Sequence, residues 1–361
     1  MKGNVLKKFL CTCLVTAAAF AATTISASAC TTIYVGGDLV EEGTPFVART
    51  EDYGSDYNKL WFISESGKWK QGDHYVGCPE YGPFEWDFTH DSYRFTYFTN
   101  DIYYDGICPE CGEKADHYSY TEFGTNEKGV SVSATETLYG NEKVTEADPY
   151  RDAEWAEANK SERIGIEETD IPTIILAEAS SAREGVKLLL DIYENYGCVA
   201  ASGVFVCDKD EVWYVENCSG TQYVAIKLNN NMIFLEPNMA VIGRIDLDDE
   251  NVIASKDLIA VAKKAGTFVG DEAKNIIDFR ASYARISEKM DQRMIDGLNY
   301  LNATYKYDSD ALVADNTKFT ISNLDASDKL VALYTNIKAD RKLDKDDVFG
   351  YYKLSSIGKA S

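Results

Sequence analysis

The chain has 361 residues and a formal charge of −23. A surface this acidic repels phosphate backbones and anionic lipid, which excludes nucleic acid as a partner and argues against a basic membrane-surface patch. Hydrophobic residues make up 45% of the chain, enough to fill a core and to exclude a disordered polypeptide.

At the start, Lys2, Lys7 and Lys8 precede an apolar and small-residue run from Phe9 to about Ala22, and Ala27 and Ala29 occupy small-residue cleavage positions. This pattern predicts a secretory signal over residues 1–29 and an exported protein whose mature form begins at Cys30. The run is too short, and too interrupted by Thr and Ser, for a membrane span of about 20 apolar residues. No stable membrane insertion is therefore expected once it is removed. Lipoprotein processing would instead lipidate the cysteine after the cut, but that route usually wants a Leu-like residue where this chain has Ala27. Removing three lysines and no acid leaves residues 30–361, a single domain of 332 residues with a charge of −26.

The first third of that domain predicts strands at Thr31–Val35, Pro45–Arg49, Leu60–Ser64, Tyr93–Phe98 and Tyr118–Phe123. Another falls at Val130–Ala134, where Val130, Val132 and Ala134 alternate with Ser131 and Ser133. Residues 146–170 are acidic and without period, and predict a surface excursion. A helix is expected over Ala182–Tyr196, with Ser181 and Glu184 as a capping box, a stripe of Val186, Leu189, Leu190 and Tyr193, and Gly197 as the stop. Gly203–Cys207, Glu211–Glu216, Gln222–Leu228 and Asn231–Leu235 are spaced like an antiparallel meander. Further helices are expected from Ser255 to Gly266 and over Tyr283–Asn299. Strands, a helix, more strands and more helices favour an α+β layered domain over an alternating parallel sheet.

Seven cysteines follow the signal: Cys30, Cys78, Cys108, Cys111, Cys198, Cys207 and Cys218. An odd number in an exported protein suggests one free thiol, with Cys30 the candidate, and the other six could form three bridges of unreadable connectivity. Cys108 and Cys111 could instead clamp a metal with Cys78 and His74 or His117, although no second CxxC completes a zinc ribbon. No metal is assigned.

A cysteine exposed as the first residue carries its own base. The thiol has an intrinsic pKa near 8.5 and an α-amine one of about 7.7–8.0, so near neutrality the amine can take the thiol proton. No histidine is then required, and the three present all lie between His74 and His117. GxSxG, HExxH and GxxxxGK[ST] are absent. Ala48-Arg49-Thr50-Glu51-Asp52 lies on the strand returning toward Cys30. Arg49 could there lower the thiol pKa and Asp52 orient the amine, although an ordinary surface ion pair is the plain alternative.

Several motifs run in order over residues 30–243: Cys30-Thr31-Thr32-Ile33, the Ala48–Asp52 block, Asn126-Glu127-Lys128-Gly129-Val130 leading to Ser133-Ala134-Thr135-Glu136, Glu211-Val212-Trp213-Tyr214 and Pro237-Asn238. Together they resemble the PepD-type dipeptidases, cysteine N-terminal-nucleophile hydrolases distantly similar to penicillin acylases and bile salt hydrolases. The resemblance implies an αββα sandwich of two antiparallel sheets with outer helices. It also implies Cys30 as nucleophile and, through its amine, base, supported by Arg49 and Asp52. Asn238 is implied as side-chain donor to the tetrahedral oxyanion. Glu136 stands where bile salt hydrolases carry asparagine, which points to the dipeptidase branch and to recognition of a dipeptide's α-amine. Arg285 is a loose match to a further arginine of the acylase site. The implied reaction passes through a thioester and needs no cofactor.

Members of that family continue for about another hundred residues, so a C-terminal truncation is expected. Tyr351–Gly358 reads as a strand and turn in mid-domain. The alternatives are an acylase acting on N-acyl amino acids or cell-wall peptides, or a lipidated surface protein that binds through the aromatic-rich region from Trp61 to Tyr120. Substrate side-chain preference and oligomeric state, a homo-oligomer included, stay open.

Overall fold

The computed structural model describes residues 30–50, 59–77, 84–100, 121–136, 138–285, 292–301, 330–332 and 341–354. The signal segment, Asp52, Cys78, Cys108, Cys111, His117 and the first half of the predicted Tyr118–Phe123 strand lie outside them.

The described chain opens with β1 (Thr31–Val35), β2 (Phe46–Thr50), β3 (Lys59–Ser64), the short hairpin β4 (His74–Val76) and β5 (Glu85–Asp87), then β6 (Phe95–Asn100), β7 (Phe123–Asn126) and β8 (Ser131–Glu136). Four helices follow: α1 (Glu142–Ala147), α2 (Ala153–Asn159), α3 (Ile171–Glu178) and α4 (Ala182–Asn195). Six strands come next: β9 (Ser202–Cys207), β10 (Val212–Asn217), β11 (Tyr223–Lys227), β12 (Ile233–Glu236), β13 (Ile242–Asp246) and β14 (Val252–Ala254). The rest comprises α5 (Leu258–Ala265), β15 (Gly270–Asp271), β16 (Ile276–Asp278), α6 (Phe279–Tyr283), α7 (Gln292–Leu301), β17 (Leu330–Ala332) and α8 (Lys345–Tyr352).

An eight-stranded sheet runs β14-β11-β10-β9-β8-β7-β6-β3, every pairing antiparallel. Against its inner face lie a three-stranded sheet, β12-β1-β2, and a four-stranded one, β15-β16-β13-β17. Strand alternation divides the core into two layers. Phe205, Tyr214, Val224 and Ile226 point inward and pack with Ile33, Phe234 and Ile242 of the second layer. Val204, Val206, Trp213, Val215 and Ala225 point outward and pack beneath α3 and α4. Helices α7 and α8 cover the far side of the second layer, where Leu301, Val348 and Tyr351 join the inner core. The result is the αββα sandwich that the motifs implied.

Several elements differ from expectation. The segment taken as a surface excursion carries the short α2, after which Glu167, Glu168, Thr169 and Asp170 are buried. Tertiary partners draw those acids in: Tyr75 Oη donates to Asp170 Oδ1 at 2.6 Å, and Thr121 N to Thr169 O at 3.4 Å. Only half of the predicted capping box forms. Ser181 caps the Glu184 amide, while the Glu184 carboxylate takes Ser180 N and Oγ. The meander holds for β9-β10-β11, but β12 leaves it to pair with β1. The predicted third helix is broken, because Ala284 is extended after α6, and α7 starts anew. Of the strand and turn expected over Tyr351–Gly358, Tyr351 and Tyr352 instead end helix α8, fixed at its start by a capping box between Asp344 and Asp347, and residues 355–358 lie outside the described ones. Cys198, Cys207 and Cys218 are unbridged, so the six later cysteines do not form three disulfides.

Candidate active site

Cys30 is partly exposed and immediately precedes β1, the middle strand of the three-stranded sheet. Both neighbours therefore bring residues to the thiol. On one side, the β1–β2 register sets Thr32 opposite Arg49. On the other, Thr32 faces Glu236 in β12, so continuing the antiparallel register by two residues sets Asn238 across from Cys30.

Arg49 crosses from the second sheet to the first. Its Nη1 donates to Glu122 O at 2.9 Å, to Ser133 Oγ at 3.4 Å and to Ala134 O, and its Nη2 reaches Cys30 Sγ at 3.4 Å. Glu168 Oε1 lies 3.6 Å from Nη2, and both side chains are only 8% exposed. A buried guanidinium with this many acceptors is fixed in place, and a fixed cation beside sulfur favours thiolate. Arg49 is thus buried, while its relation to Asp52 lies outside the described residues.

Asn238 has φ +45°, one of three non-glycine residues at positive φ among those described. Asn tolerates that left-handed region better than most residues. The loop after it is tied down by Glu216, a fully buried carboxylate that accepts from Val241 N at 2.6 Å, Ile242 N at 3.2 Å and Tyr214 Oη at 2.9 Å. Burial pushes Glu216 up to about 7.

A second arginine closes the site from α7. Arg293 Nη1 donates to Cys30 O at 2.8 Å, Thr31 Oγ1 at 2.9 Å and Asn238 Oδ1 at 3.0 Å, and Nη2 donates to Pro237 O at 3.1 Å. Because Oδ1 is the end of the Asn238 amide that faces Arg293, the donor end, Nδ2, is turned the other way. Sequence reasoning missed Arg293 and considered Arg285. That residue is exposed and stacks on Tyr139, its guanidinium carbon 4.1 Å from the ring centre. The available signal was a cation on the stripe of α7 that also carries Gly297 and Leu301.

Glu136 is the last residue of β8, opposite Ser202 and two positions beyond the carbonyl that binds Arg49. Its side chain and all of Asp52 lie outside the described residues. His74, weighed as a metal ligand, sits on the exposed β4–β5 hairpin with Nδ1 2.8 Å from Asp87 Oδ1. Among the described residues, no three His, Cys, Asp or Glu side chains are grouped to hold a metal.

The αββα sandwich thus gathers at one strand end a partly exposed cysteine, with Arg49 at its thiol, Arg293 at its carbonyl and Asn238 beside it. Its sequence matches the profile of peptidase family C69 over residues 29–313, and the chain belongs to that family. Probable dipeptidase B of Streptococcus pyogenes serotype M6 is 31% identical over 304 residues, which cover 82% of this chain and 55% of the relative. The probable dipeptidase of Salmonella dublin is 32% identical over 262 residues, covering 71% and 53%. The chain thus spans about half the length of the curated relatives it matches. The solved penicillin V acylase of Agrobacterium tumefaciens is similar at a TM-score of 0.34 and 14% identity, over 58% of this chain and 49% of that one, too remote to add to the argument.

Proposed function

We propose that this protein is an exported cysteine dipeptidase, matured by removal of residues 1–29 so that Cys30 becomes the first residue. The observation that carries this reading is the contact of Arg49 Nη2 with Cys30 Sγ at 3.4 Å, in a site whose other wall is the Asn238 amide. The family match, which begins at residue 29, supports the same boundary.

In the proposed reaction, the α-amine takes the thiol proton and the sulfur attacks the peptide carbonyl, with Arg49 balancing the charge on sulfur. Asn238 Nδ2 donates to the oxyanion of the tetrahedral intermediate. The resulting ammonium protonates the leaving amine, giving a thioester. The amine, neutral again, then activates water, which releases the acyl group and regenerates the thiol. Arg293 holds Cys30 O and Asn238 Oδ1 with one nitrogen, and so fixes nucleophile and oxyanion donor relative to each other. Glu136 at its strand end is proposed to receive the dipeptide's α-ammonium, and Asp52 to orient the enzyme's own amine.

The test is intact mass and N-terminal sequencing of the exported protein, before and after iodoacetamide, with dipeptide turnover recorded on both samples. A chain starting at Cys30 that loses turnover on alkylation there is the expected result. A start elsewhere, or a diacylglyceryl mass on Cys30, removes the amine and sinks the mechanism.

A further inference from the structure

One row of residues crosses the whole large sheet. Trp61, Phe98, Phe123, Ser133, Phe205, Tyr214, Ile226 and Val252 are direct cross-strand partners in succession, so all eight side chains stand on the inner face. From Phe205 onward the row is buried under the second layer, with the Phe205 ring 5.8 Å from that of Phe234 in β12. Beyond Ser133 the second layer, among the described residues, no longer covers the row. Trp61 is 55% exposed, Phe98 37% and Phe123 39%, and Ile63, two positions along β3 on the same face as Trp61, is 37% exposed. The Phe98 and Phe123 rings stack at 5.9 Å.

The boundary between covered and open halves is the catalytic centre. Ser133 is the residue that Arg49 Nη1 contacts at 3.4 Å, and Nη2 of that guanidinium contacts Cys30 Sγ. Arg49 joins the two sheets at this point, and the apolar row continues past it along the inner face.

We infer that the open apolar row of Trp61, Ile63, Phe98 and Phe123 is a substrate subsite that takes the apolar side chain of a dipeptide. The inference rests on the dipeptidase reading of the same site. Size favours this occupant. Four partly exposed side chains present on the order of 300–400 Å², well below the ~800 Å² per partner of a stable protein interface. Charge points the same way: two mature copies at −26 each repel, while a neutral side chain does not.

The experiment compares kcat/KM for Phe-Gly, Gly-Phe and Gly-Gly in the wild type, Trp61→Ala, Phe98→Ala and a control, Phe349→Ala. Phe349 is 57% exposed on α8, a different element from the strands that carry the subsite. Both subsite positions are exposed enough for the variants to fold. Preference for one Phe-containing dipeptide over Gly-Gly should fall by about 10-fold or more in the two subsite variants, and stay at the wild-type value in the control. A readout that needs no hydrolysis accompanies it: free phenylalanine, but not glycine, should slow iodoacetamide labelling of Cys30, and Trp61→Ala should remove most of that protection. Parallel changes across all three dipeptides together with equal protection by both amino acids would overturn the subsite, as would a wild-type dimer that Trp61→Ala dissociates. Phenylalanine protection in a protein that cleaves no dipeptide would instead overturn the dipeptidase reading and leave the apolar subsite standing.

Discussion

Arg293 and Asn238 are joined by a hydrogen bond of 3.0 Å, from Nη1 to Oδ1, and the same nitrogen reaches the carbonyl of Cys30 at 2.8 Å. The bond orients the Asn238 amide across the thiol from Arg49. Removing the side chain in Asn238→Ala should lower kcat by about 10²- to 10³-fold with KM changed by less than about 3-fold. Asn238→Gly separates side chain from backbone, because glycine accepts φ +45° without strain. It should lose kcat to the same extent while keeping the wild-type melting temperature. Full activity in the glycine variant would remove Asn238 from the chemistry.

Gly297 lies one turn beyond Arg293 on α7, and a Cβ there would meet Tyr351 at 2.4 Å and Leu235 at 2.9 Å. In an exposed helix, Gly→Ala gains about 1 kcal/mol. Here overpacking costs roughly 1–3 kcal/mol and pushes α7 off β12. Gly297→Ala should therefore melt a few degrees below the wild type and lose kcat as Arg293 shifts. Calorimetry and steady-state kinetics on one preparation would check both.

Two buried acids set a pH slope on stability. Burial pushes both Glu216 and Asp170 up to about 7, from ordinary values of 4.5 and 3.8. A folded-state pKa raised above the unfolded one means that the folded chain holds the extra proton between those limits. Stability from these groups is present below about pH 4 and lost as pH rises through 7. Asp170→Asn stays neutral throughout and keeps an acceptor for Tyr75. The variant's melting temperature, relative to the wild type, should rise between pH 4 and about 7 and level off above that. A pH-independent difference would show that Asp170 is not protonated in the fold.

The described cysteines should separate cleanly by reactivity. Cys198 and Cys218 are at most 1% exposed, and burial pushes both thiols upward, as it does Cys207, to about 11. Cys30 is partly exposed beside Arg49. Among these four, brief alkylation of the native protein should label Cys30 alone, with the other three reacting only after denaturation. Peptide mass mapping would read this directly, and early labelling of Cys198 or Cys218 would contradict their burial.

How much of this was legible in the sequence depends on where each residue finds its partners. Strands β1, β2 and β8 and helix α4 were legible because alternation and the apolar stripe are local patterns. Helix α3 was not, because all eight of its residues are buried and no polar face marks a period. Even Glu178 lies inside, its carboxylate taking Thr89 N and Oγ1 at 2.7 and 2.6 Å. Acids are rarely buried unless paired, so an acidic run such as residues 146–170 predicts a surface until Arg49 and Tyr75 are placed. Cys30 and Arg49 were legible as a pair because one hairpin joins them. Arg293 was not, since it meets Cys30 across 263 positions of chain.

Arg49 stitches two sheets together with the hand that holds the sulfur. Wear at the mouth of the sandwich and loss of chemistry are therefore one event. A copy whose edge at β2 has frayed, or been nicked, no longer has a cation at its thiol. On the dipeptidase reading proposed above, such a copy falls silent instead of persisting as damaged protein with a live nucleophile.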